Sequence, residues 1–153
     1  CDFIIMSRVS ANMWIGGPRQ TQAATSEVND KNIGGADYHM EFSGSAEMVG
    51  DDDEESIKHC RELLRYLPSN YREKPPLWDR NDDAARETDA LTHLVPDDFD
   101  ETYDMHDVIK QIVDDGEFLE IKEGYAKNLI TCFCRFNGES VGLVANNPIV
   151  SRS

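Results

Sequence analysis

Two apolar runs separated by the dipeptide Asn137–Gly138 place the tightest limit on how this chain folds. The runs cover residues 128–136 and 140–146. Asn and Gly both tolerate a positive φ, which a type I′ turn needs at its two central residues. The sequence therefore predicts an antiparallel hairpin that turns at Asn137–Gly138.

The cysteine pattern predicts reduced thiols. The four cysteines, at positions 1, 60, 132 and 134, offer neither a small disulfide framework nor a CxxC motif. Cys132 and Cys134 lie two apart in a predicted strand, so their side chains point to the same face. Burial as small hydrophobic residues is the favoured interpretation, and metal binding or oxidation of this pair is the alternative.

Other periodic patterns predict further helices and strands. An i, i+3, i+4 stripe predicts a helix over residues 105–113, with Asp104 as its N-cap. A second stripe, from Ile57 to Leu67, predicts a helix that Pro68 ends. The remaining predicted elements are strands at 2–9, 12–16, Tyr38–Phe42 and Phe118–Ile121, a helix from Arg19, and a helical turn at 28–34.

Acidic residues dominate the composition and limit the partners. Thirty Asp and Glu against 15 Lys and Arg give a formal charge of −15, which argues against nucleic acid and anionic membrane surfaces. The run at 51–55 predicts a solvated helix start, with a calcium or magnesium site as the alternative. Residues 68–103 lack periodicity and predict an extended acidic linker between domains. No apolar run reaches the roughly 18 residues of a membrane span.

Residue types alone assign no catalytic group and no metal-ligand set. The GxSxG, HExxH, Walker and GxGxxG motifs are absent, and the four histidines are scattered. One glycine-rich segment suits ligand contact because small residues allow a close backbone approach, and an ordinary helix-ending turn is the alternative. Its candidate residues are Gly34, Gly35, Ala36, His39, Ser43 and Gly44.

Several stretches, taken in order, resemble a known enzyme family. They are MWIGGP, NIGGADYHMEFSGSA, LLRYLPSNYREKPP, LVPDDFDETYDMHDVIKQIVDDGEFLEI and YAKNLITCFCRFNGESVGLVANNP. They resemble the carboxyltransferase (beta) subunit of biotin-dependent acyl-CoA carboxylases, of the propionyl-CoA carboxylase type. The chain as a whole is similar to a central fragment of such a subunit.

The resemblance implies an α/β fold with parts of two crotonase-like (ClpP/crotonase) domains, each a superhelix of ββα turns. Residues 1–67 would end the first domain, 68–103 would form the linker, and 104–153 would begin the second domain. The implied reaction moves a carboxyl group from carboxybiotin to the alpha carbon of a short acyl-CoA such as propionyl-CoA. The implied partners are a biotin carboxylase/biotin carrier subunit and further copies of the chain in a hexamer. Reduced thiols and the lack of an export signal in the sequence favour the cytoplasm, or the mitochondrial matrix if the source is eukaryotic.

The resemblance also implies two oxyanion holes made of backbone amides, in glycine-rich segments outside residues 1–153. No residue of this chain is therefore predicted to be catalytic. The segment 34–44 matches the family's LGGA and SG positions near the acyl-CoA cleft, so its six candidate residues are predicted to line that cleft.

Two departures from the family and two alternative functions remain. Thr25-Ser26-Glu27 replaces the family's Thr-Gly-Glu, and the closing IVSRS is more polar than the family pattern. These departures indicate either a divergent subfamily that uses a different acyl group or an altered end of the fragment. One alternative function is the carboxyltransferase component of a biotin-dependent decarboxylase, which runs the same chemistry in reverse. The other is a non-catalytic scaffold or assembly fragment.

Overall fold

A computed structural model describes residues 2–25, 34–79, 82–83, 85–98 and 100–150. The chain forms two compact units. The first unit consists of Cys1–Arg61 with Lys122–Ala126, and the second of Glu62–Ile121 with Lys127–Ser153. No helix within the described ranges is both long and apolar enough to cross a membrane.

The first unit contains a short pair of parallel strands, with Met6 opposite Val49. Parallel strands need a long crossover, and here residues 8–47 provide it. A small core forms beside the strands from Met6, Ala36 and Ala46. The elements up to the end of the following helix are β1 (Ile5–Ser7), α1 (Pro18–Thr25), α2 (Ala36–Glu41), β2 (Met48–Gly50) and α3 (Asp53–Leu64).

The strands predicted near the start of the chain are shorter than expected or absent. Of the strand predicted at 2–9, only β1 pairs in a ladder. The strand predicted at 12–16 is wrong, because only Asn12 forms a bridge, opposite Gly35, and Ile15 is fully exposed. A strand needs a continuous pairing partner, and the chain beside Asn12 enters a helix directly after Gly35.

The strand predicted at Tyr38–Phe42 is also wrong, because α2 occupies this segment. The alternation of three apolar residues fits both periods, and in the helix Tyr38 stacks on Phe42 at a centroid distance of 5.7 Å. The helix predicted from Arg19 is confirmed and begins one residue earlier, at Pro18. The turn predicted at 28–34 lies outside the described residues, apart from Gly34.

The helix predicted from Ile57 to Leu67 is confirmed as α3, which ends at Leu64. Its acidic start is capped as expected, because Asp52 accepts a 2.8 Å hydrogen bond from the Glu55 amide. The apolar stripe is buried only at Leu63, whereas Ile57 and Leu64 are more than half exposed. The described residues therefore do not cover this face of α3.

The second unit is an antiparallel three-stranded sheet in the order β3-β4-β5, with a helix packed on it. The predicted hairpin is confirmed. Phe136 lies opposite Glu139, and both turn residues have a positive φ, 56° at Asn137 and 78° at Gly138. The elements are α4 (Leu91–Leu94), α5 (Met105–Ile112), β3 (Phe118–Ile121), β4 (Leu129–Phe136) and β5 (Glu139–Asn146).

The core of the second unit joins α5 to β4. Asp104 caps α5 as predicted by accepting a hydrogen bond from the His106 amide at 2.9 Å, and the helix buries Ile109 completely. Ile109 packs against Cys132 and Cys134, and both cysteines are buried with free thiols. The interpretation of these two cysteines as small hydrophobic residues is confirmed.

A column of stacked side chains fixes part of the acidic segment 68–103 in the second unit. Arg135 is 5% exposed, and its guanidinium lies 4.0 Å from the ring centroid of Tyr66 and 4.7 Å from that of Trp78. Trp78 also donates a backbone hydrogen bond of 3.0 Å to Gly138. The segment is otherwise largely irregular, and α4 is its only helix within the described ranges.

Candidate functional site

The predicted residues Gly34, Gly35 and Ala36 form the entry into α2. Gly34 is buried, has a φ of +81°, and accepts a 2.8 Å hydrogen bond from the Met13 amide. A Cβ atom at Gly34 would lie 2.4 Å from the Met13 carbonyl oxygen and 2.4 Å from the Trp14 ring. Only glycine therefore fits this position without movement of its neighbours.

His39 holds α2 against the same stretch of backbone. Its Nε2 lies 2.9 Å from the Met13 carbonyl oxygen, and its Nδ1 lies 2.8 Å from Ser43 Oγ. A carbonyl oxygen only accepts hydrogen bonds, so Nε2 carries a proton and, in the neutral ring, Ser43 donates to Nδ1. Met13 is thus bound on both sides, by Gly34 and by His39.

Gly44 is held by residues far away in the sequence. It is buried with a φ of +61°, and a Cβ atom there would lie 2.7 Å from the Tyr125 ring. Lys122 Nζ donates a 2.6 Å hydrogen bond to the Gly44 carbonyl oxygen across 78 residues of sequence. Lys122 and Tyr125 are not predictable as contacts of Gly44, because no local sequence pattern links them to a glycine this distant.

An open groove of about 530 Å³ runs along the first unit, and Gly35 and Ala36 form part of its wall. Trp14, which is 40% exposed, and Arg8 also line it. The hydrogen bond from Arg8 to Asp37, at 2.7 Å, raises the pKa of Arg8 despite some desolvation. Because Arg8 also pairs with a second carboxylate, that of Asp51, its charge is already matched.

The six predicted residues therefore all lie in the first unit, but they have two different structural roles. Gly35 and Ala36 line the groove. The other four, Gly34, His39, Ser43 and Gly44, are connected to one another or to Met13 and Lys122 by hydrogen bonds behind it.

Comparison with known proteins assigns the chain to a family. Residues 1–152 match the carboxyl transferase domain. The chain belongs to the carboxyl transferase domain family. This finding confirms the resemblance on which the sequence analysis relied.

Individual relatives agree with that assignment. The chain is 44% identical over 150 residues to the methylmalonyl-CoA decarboxylase subunit alpha of Veillonella parvula, covering 97% of the chain and 30% of that protein. It is 41% identical to the propionyl-CoA carboxylase beta chain of Roseobacter denitrificans, covering 97% of the chain and 29% of that protein. The chain thus spans less than a third of the length of these relatives.

A solved structure shares the fold. The crystal structure of transcarboxylase 12S, a hexamer with methylmalonyl-coenzyme A and methylmalonic acid bound, is 43% identical and has a TM-score of 0.91. The match covers 97% of this chain and 29% of the other. This carboxyl transferase chain therefore has the α/β fold of a carboxyltransferase subunit.

The second unit of this carboxyl transferase chain holds a polar cluster that the sequence analysis did not predict. His106 bridges two carboxylates, with Nδ1 2.6 Å from Asp104 and Nε2 2.8 Å from Glu120. Burial alone lowers the pKa of His106, but the hydrogen bonds and charges of both carboxylates outweigh it and raise the pKa. Glu120 lies opposite Cys132 in the sheet.

The cluster has no nucleophile to activate. The thiol of Cys132 donates a hydrogen bond to Cys134, and this bond together with burial raises the pKa of Cys132, so Cys132 is protonated at neutral pH. Among the described residues, no group of three His, Cys, Asp or Glu side chains is placed to hold a metal ion. We therefore interpret the His106 cluster as a structural link between the start of α5 and β3.

This link makes stability depend on pH. The pKa of His106 is higher in the folded protein than in the unfolded chain, where it is about 6.5. The contribution of His106 to the free energy of unfolding is therefore complete below about pH 6.5, and it is lost as the pH rises through the folded pKa. We expect H106Q to lower the stability of the second unit by on the order of 1 kcal/mol near pH 6 and by less near pH 9. Melting temperatures of both proteins across this range test the difference.

The exposed residue His93 supplies the control. H93Q is expected to have the same melting temperature as the wild-type protein from pH 6 to pH 9, because His93 is exposed and forms no ion pair with a carboxylate of the described residues. A constant gap between H106Q and the wild type from pH 6 to pH 9 would contradict the assignment of this pH dependence to His106.

Proposed function

We propose that the full-length protein containing this chain is a carboxyltransferase subunit. It moves a carboxyl group from carboxybiotin to the alpha carbon of a short acyl-CoA such as propionyl-CoA. The match of residues 1–152 to the carboxyl transferase domain is the observation that carries the proposal. The identities of 41% and 44% to relatives named for propionyl-CoA and methylmalonyl-CoA support this acyl class.

In this proposal the six glycine-rich segment residues belong to the acyl-CoA cleft. Gly35 and Ala36 form a part of the groove wall that has almost no side chains, so a thioester can approach the backbone closely there. The groove beside them, about 530 Å³, falls within the range of roughly 300–1,000 Å³ that is typical of small-molecule sites. Gly34, His39, Ser43 and Gly44 keep this wall in place and touch no reacting atom.

Carboxybiotin is a second substrate, brought by a biotin carboxylase/biotin carrier partner. When bound, it supplies the carboxyl group. The bond between the biotin ureido nitrogen and the carboxyl group breaks, a bond forms from the alpha carbon of the acyl-CoA to that carboxyl group, and the ureido nitrogen takes up the proton that the alpha carbon loses. Negative charge develops on the thioester oxygen during the exchange. Backbone amides are suited to stabilise such charge. None of the described side chains is assigned to this step, so the chain's contribution is to shape the acyl-CoA cleft.

The finer architecture also remains a proposal. We infer two crotonase-like domains of ββα turns, with residues 1–67 in the first, 68–103 as linker and 104–153 in the second. The hexamer described for transcarboxylase 12S supports the same assembly for the full-length protein.

A reconstituted assay tests the proposed function. The full-length protein is mixed with a biotin carrier and a biotin carboxylase, and propionyl-CoA, ATP and bicarbonate are added. We expect methylmalonyl-CoA to form, and to fail to form without the carrier protein. No product from propionyl-CoA or other short acyl-CoA substrates would overturn the proposal.

A decarboxylase component is the second candidate, favoured by the 44% identity to a methylmalonyl-CoA decarboxylase subunit. The same assay separates the two when methylmalonyl-CoA is the substrate and ATP is omitted. Transfer of its carboxyl group to free biotin carrier, with no net carboxylation of propionyl-CoA in the complete system, would favour the decarboxylase. A scaffold role predicts no transfer in either direction.

A further inference from the structure

The segment Lys122–Ala126 belongs to the first unit and packs there against the turn that carries Gly44. Tyr125 donates its backbone N–H to Lys122 at 2.9 Å, which closes a tight turn, and the Tyr125 ring lies against Gly44. Gly124 lies against Met40, where a Cβ atom would be 2.5 Å from that side chain. The segment therefore fits closely against α2 and Gly44.

Lys122 makes the polar part of this contact. Its Nζ lies 2.6 Å from the Gly44 carbonyl oxygen and 3.4 Å from a carboxylate oxygen of Glu47. Its backbone N–H donates to the Glu47 carbonyl oxygen at 2.8 Å. The Glu47 side chain is 13% exposed and that of Lys122 is 37% exposed, so a largely buried carboxylate is paired with a partly exposed cation. A charge-assisted bond of this kind is stronger than a neutral one.

The backbone around Lys122 is strained. Lys122 has a φ of +63° and Ala126 a φ of +49°, a conformation that residues with a Cβ atom rarely adopt. Strain of this kind persists only where surrounding contacts hold it, and it is concentrated at functional sites. The lysine side chain is therefore kept at a position that glycine would occupy more easily.

A continuous path of bonds joins Lys122 to the groove wall. Lys122 binds Gly44, the neighbouring Ser43 binds His39, and His39 binds the Met13 carbonyl oxygen. The Met13 amide in turn binds Gly34, which is adjacent to the groove residue Gly35. These bonds link the Gly44 turn to the entry of α2.

We propose that Lys122 is a positioning residue for acyl-CoA binding, which fixes the Gly44 turn and, through Ser43 and His39, the groove wall at Gly35 and Ala36. The inference rests on the proposed function, and it assigns to that site a residue 78 positions away from Gly44. Lys122 acts on acyl-CoA affinity rather than on the transfer step, because it touches no reacting atom.

The test uses the full-length protein and the variants K122G, K122R and A126G. Glycine relaxes the backbone at position 122 and removes only the side chain, so K122G is expected to fold. We expect K122G to raise KM for propionyl-CoA about tenfold, the equivalent of one net hydrogen bond to a charged group, and to change kcat less than about twofold. K122R keeps a cation and is expected to restore KM to within about threefold of the wild type.

A126G is the matched control, because it relaxes the same kind of strain and leaves Lys122 in place. Its KM is expected to equal that of the wild type. Binding of propionyl-CoA measured by calorimetry gives a readout independent of turnover, and K122G is expected to bind about tenfold more weakly. Failure of the wild-type protein to transfer carboxyl groups would overturn the proposed function, whereas an active wild type with an unchanged KM in K122G would overturn only the role of Lys122.

If K122G and A126G raise KM equally, local flexibility is the cause and the role of Lys122 is likewise overturned. If K122G does not fold, the comparison passes to K122M, which keeps the length of the side chain without its charge. K122M is expected to raise KM as K122G does, and a wild-type KM in K122M would overturn the proposal.

Discussion

Replacement of Gly34 by alanine is expected to abolish most acyl-CoA binding in the full-length protein and to destabilise the first unit. The new Cβ atom would lie 2.4 Å from the Met13 carbonyl oxygen and from the Trp14 ring, and the backbone would keep a φ of +81°. Left-handed backbone at a residue with a Cβ atom costs about 1–3 kcal/mol, and the overlap with backbone adds to it. We expect G34A to lower the free energy of unfolding by about 3 kcal/mol or more in total.

We expect movement of either neighbour to break the bond that the Met13 amide makes to Gly34, and this bond joins two residues that are adjacent in sequence to the groove residues Trp14 and Gly35. KM for propionyl-CoA is therefore expected to rise at least tenfold, and the melting temperature is expected to fall. Steady-state kinetics and differential scanning calorimetry measure the two effects.

G17A is the matched control, since a Cβ atom at Gly17 would meet no heavy atom within 4 Å and its φ is not in the left-handed region. It is expected to leave both KM and melting temperature unchanged. A G34A protein with wild-type stability and KM would show that the close packing around Gly34 does not form in the full-length protein.

The elements that were predicted correctly are those whose structure is determined by residues close together in the sequence. The hairpin depends on two turn residues with positive φ and on strands that pair next to one another, so Asn137 and Gly138 were sufficient. The helix α5 likewise follows from a local stripe and the cap at Asp104. Strand Phe118–Ile121 is confirmed for the same reason, because it pairs with the first strand of the hairpin.

The failures concern short segments whose structure is decided by distant partners. Three alternating apolar residues at Tyr38–Phe42 satisfy a strand and a single helical turn equally well, and the buried Ala36 together with the His39 contact favours the helix. The parallel partner of β1 lies 43 residues further along, so its pairing leaves no local signal. Composition alone gave no basis for choosing between these outcomes.

The sequence singles out the glycines of the candidate segment, but it gives no sign of the distant residues that contact them. Gly34 and Gly44 are recognisable because only glycine suits close approach and positive φ. Lys122 is an ordinary lysine in a loop, and its role depends on a contact across 78 residues. Glu120 lies 14 residues beyond His106 in the sequence, and the fold places His106 Nε2 2.8 Å from its carboxylate while Nδ1 lies 2.6 Å from Asp104.

Arg135 supports the second unit in a way that its charge alone does not suggest. It is buried, yet no carboxylate pairs with it in the described part of the chain. Its guanidinium instead lies between the rings of Tyr66 and Trp78 and donates a 3.2 Å hydrogen bond to the Arg65 carbonyl oxygen. Its Nε is buried, and no group in the described part of the chain accepts a hydrogen bond from it.

The long Arg135 side chain therefore contributes through packing and cation–π contacts, against the cost of burying a charge. We expect R135A to destabilise the hairpin by about 3 kcal/mol, because it leaves a cavity and removes both ring contacts. R135M is expected to cost about 1 kcal/mol, because a flexible thioether refills the space between the rings without a buried charge. R135K is expected to fall between them, because its ammonium is strongly hydrated and cannot stack as a plane.

Hydrogen exchange of the β4 and β5 backbone amides in the full-length protein measures these differences locally. A loss of 3 kcal/mol corresponds to exchange roughly a hundredfold faster. R72A is the control, because Arg72 makes the same kind of contact with Tyr71, at 5.2 Å, on an exposed surface where it is worth about 0.5 kcal/mol. If R135M exchanges as fast as R135A, the cation itself holds the column together; if R135A exchanges no faster than R72A, burial of Arg135 adds nothing. Packing around a buried guanidinium that has no carboxylate partner among the described residues predicts the largest loss of stability in R135A, a smaller loss in R135K and the smallest in R135M. Either result would contradict this order.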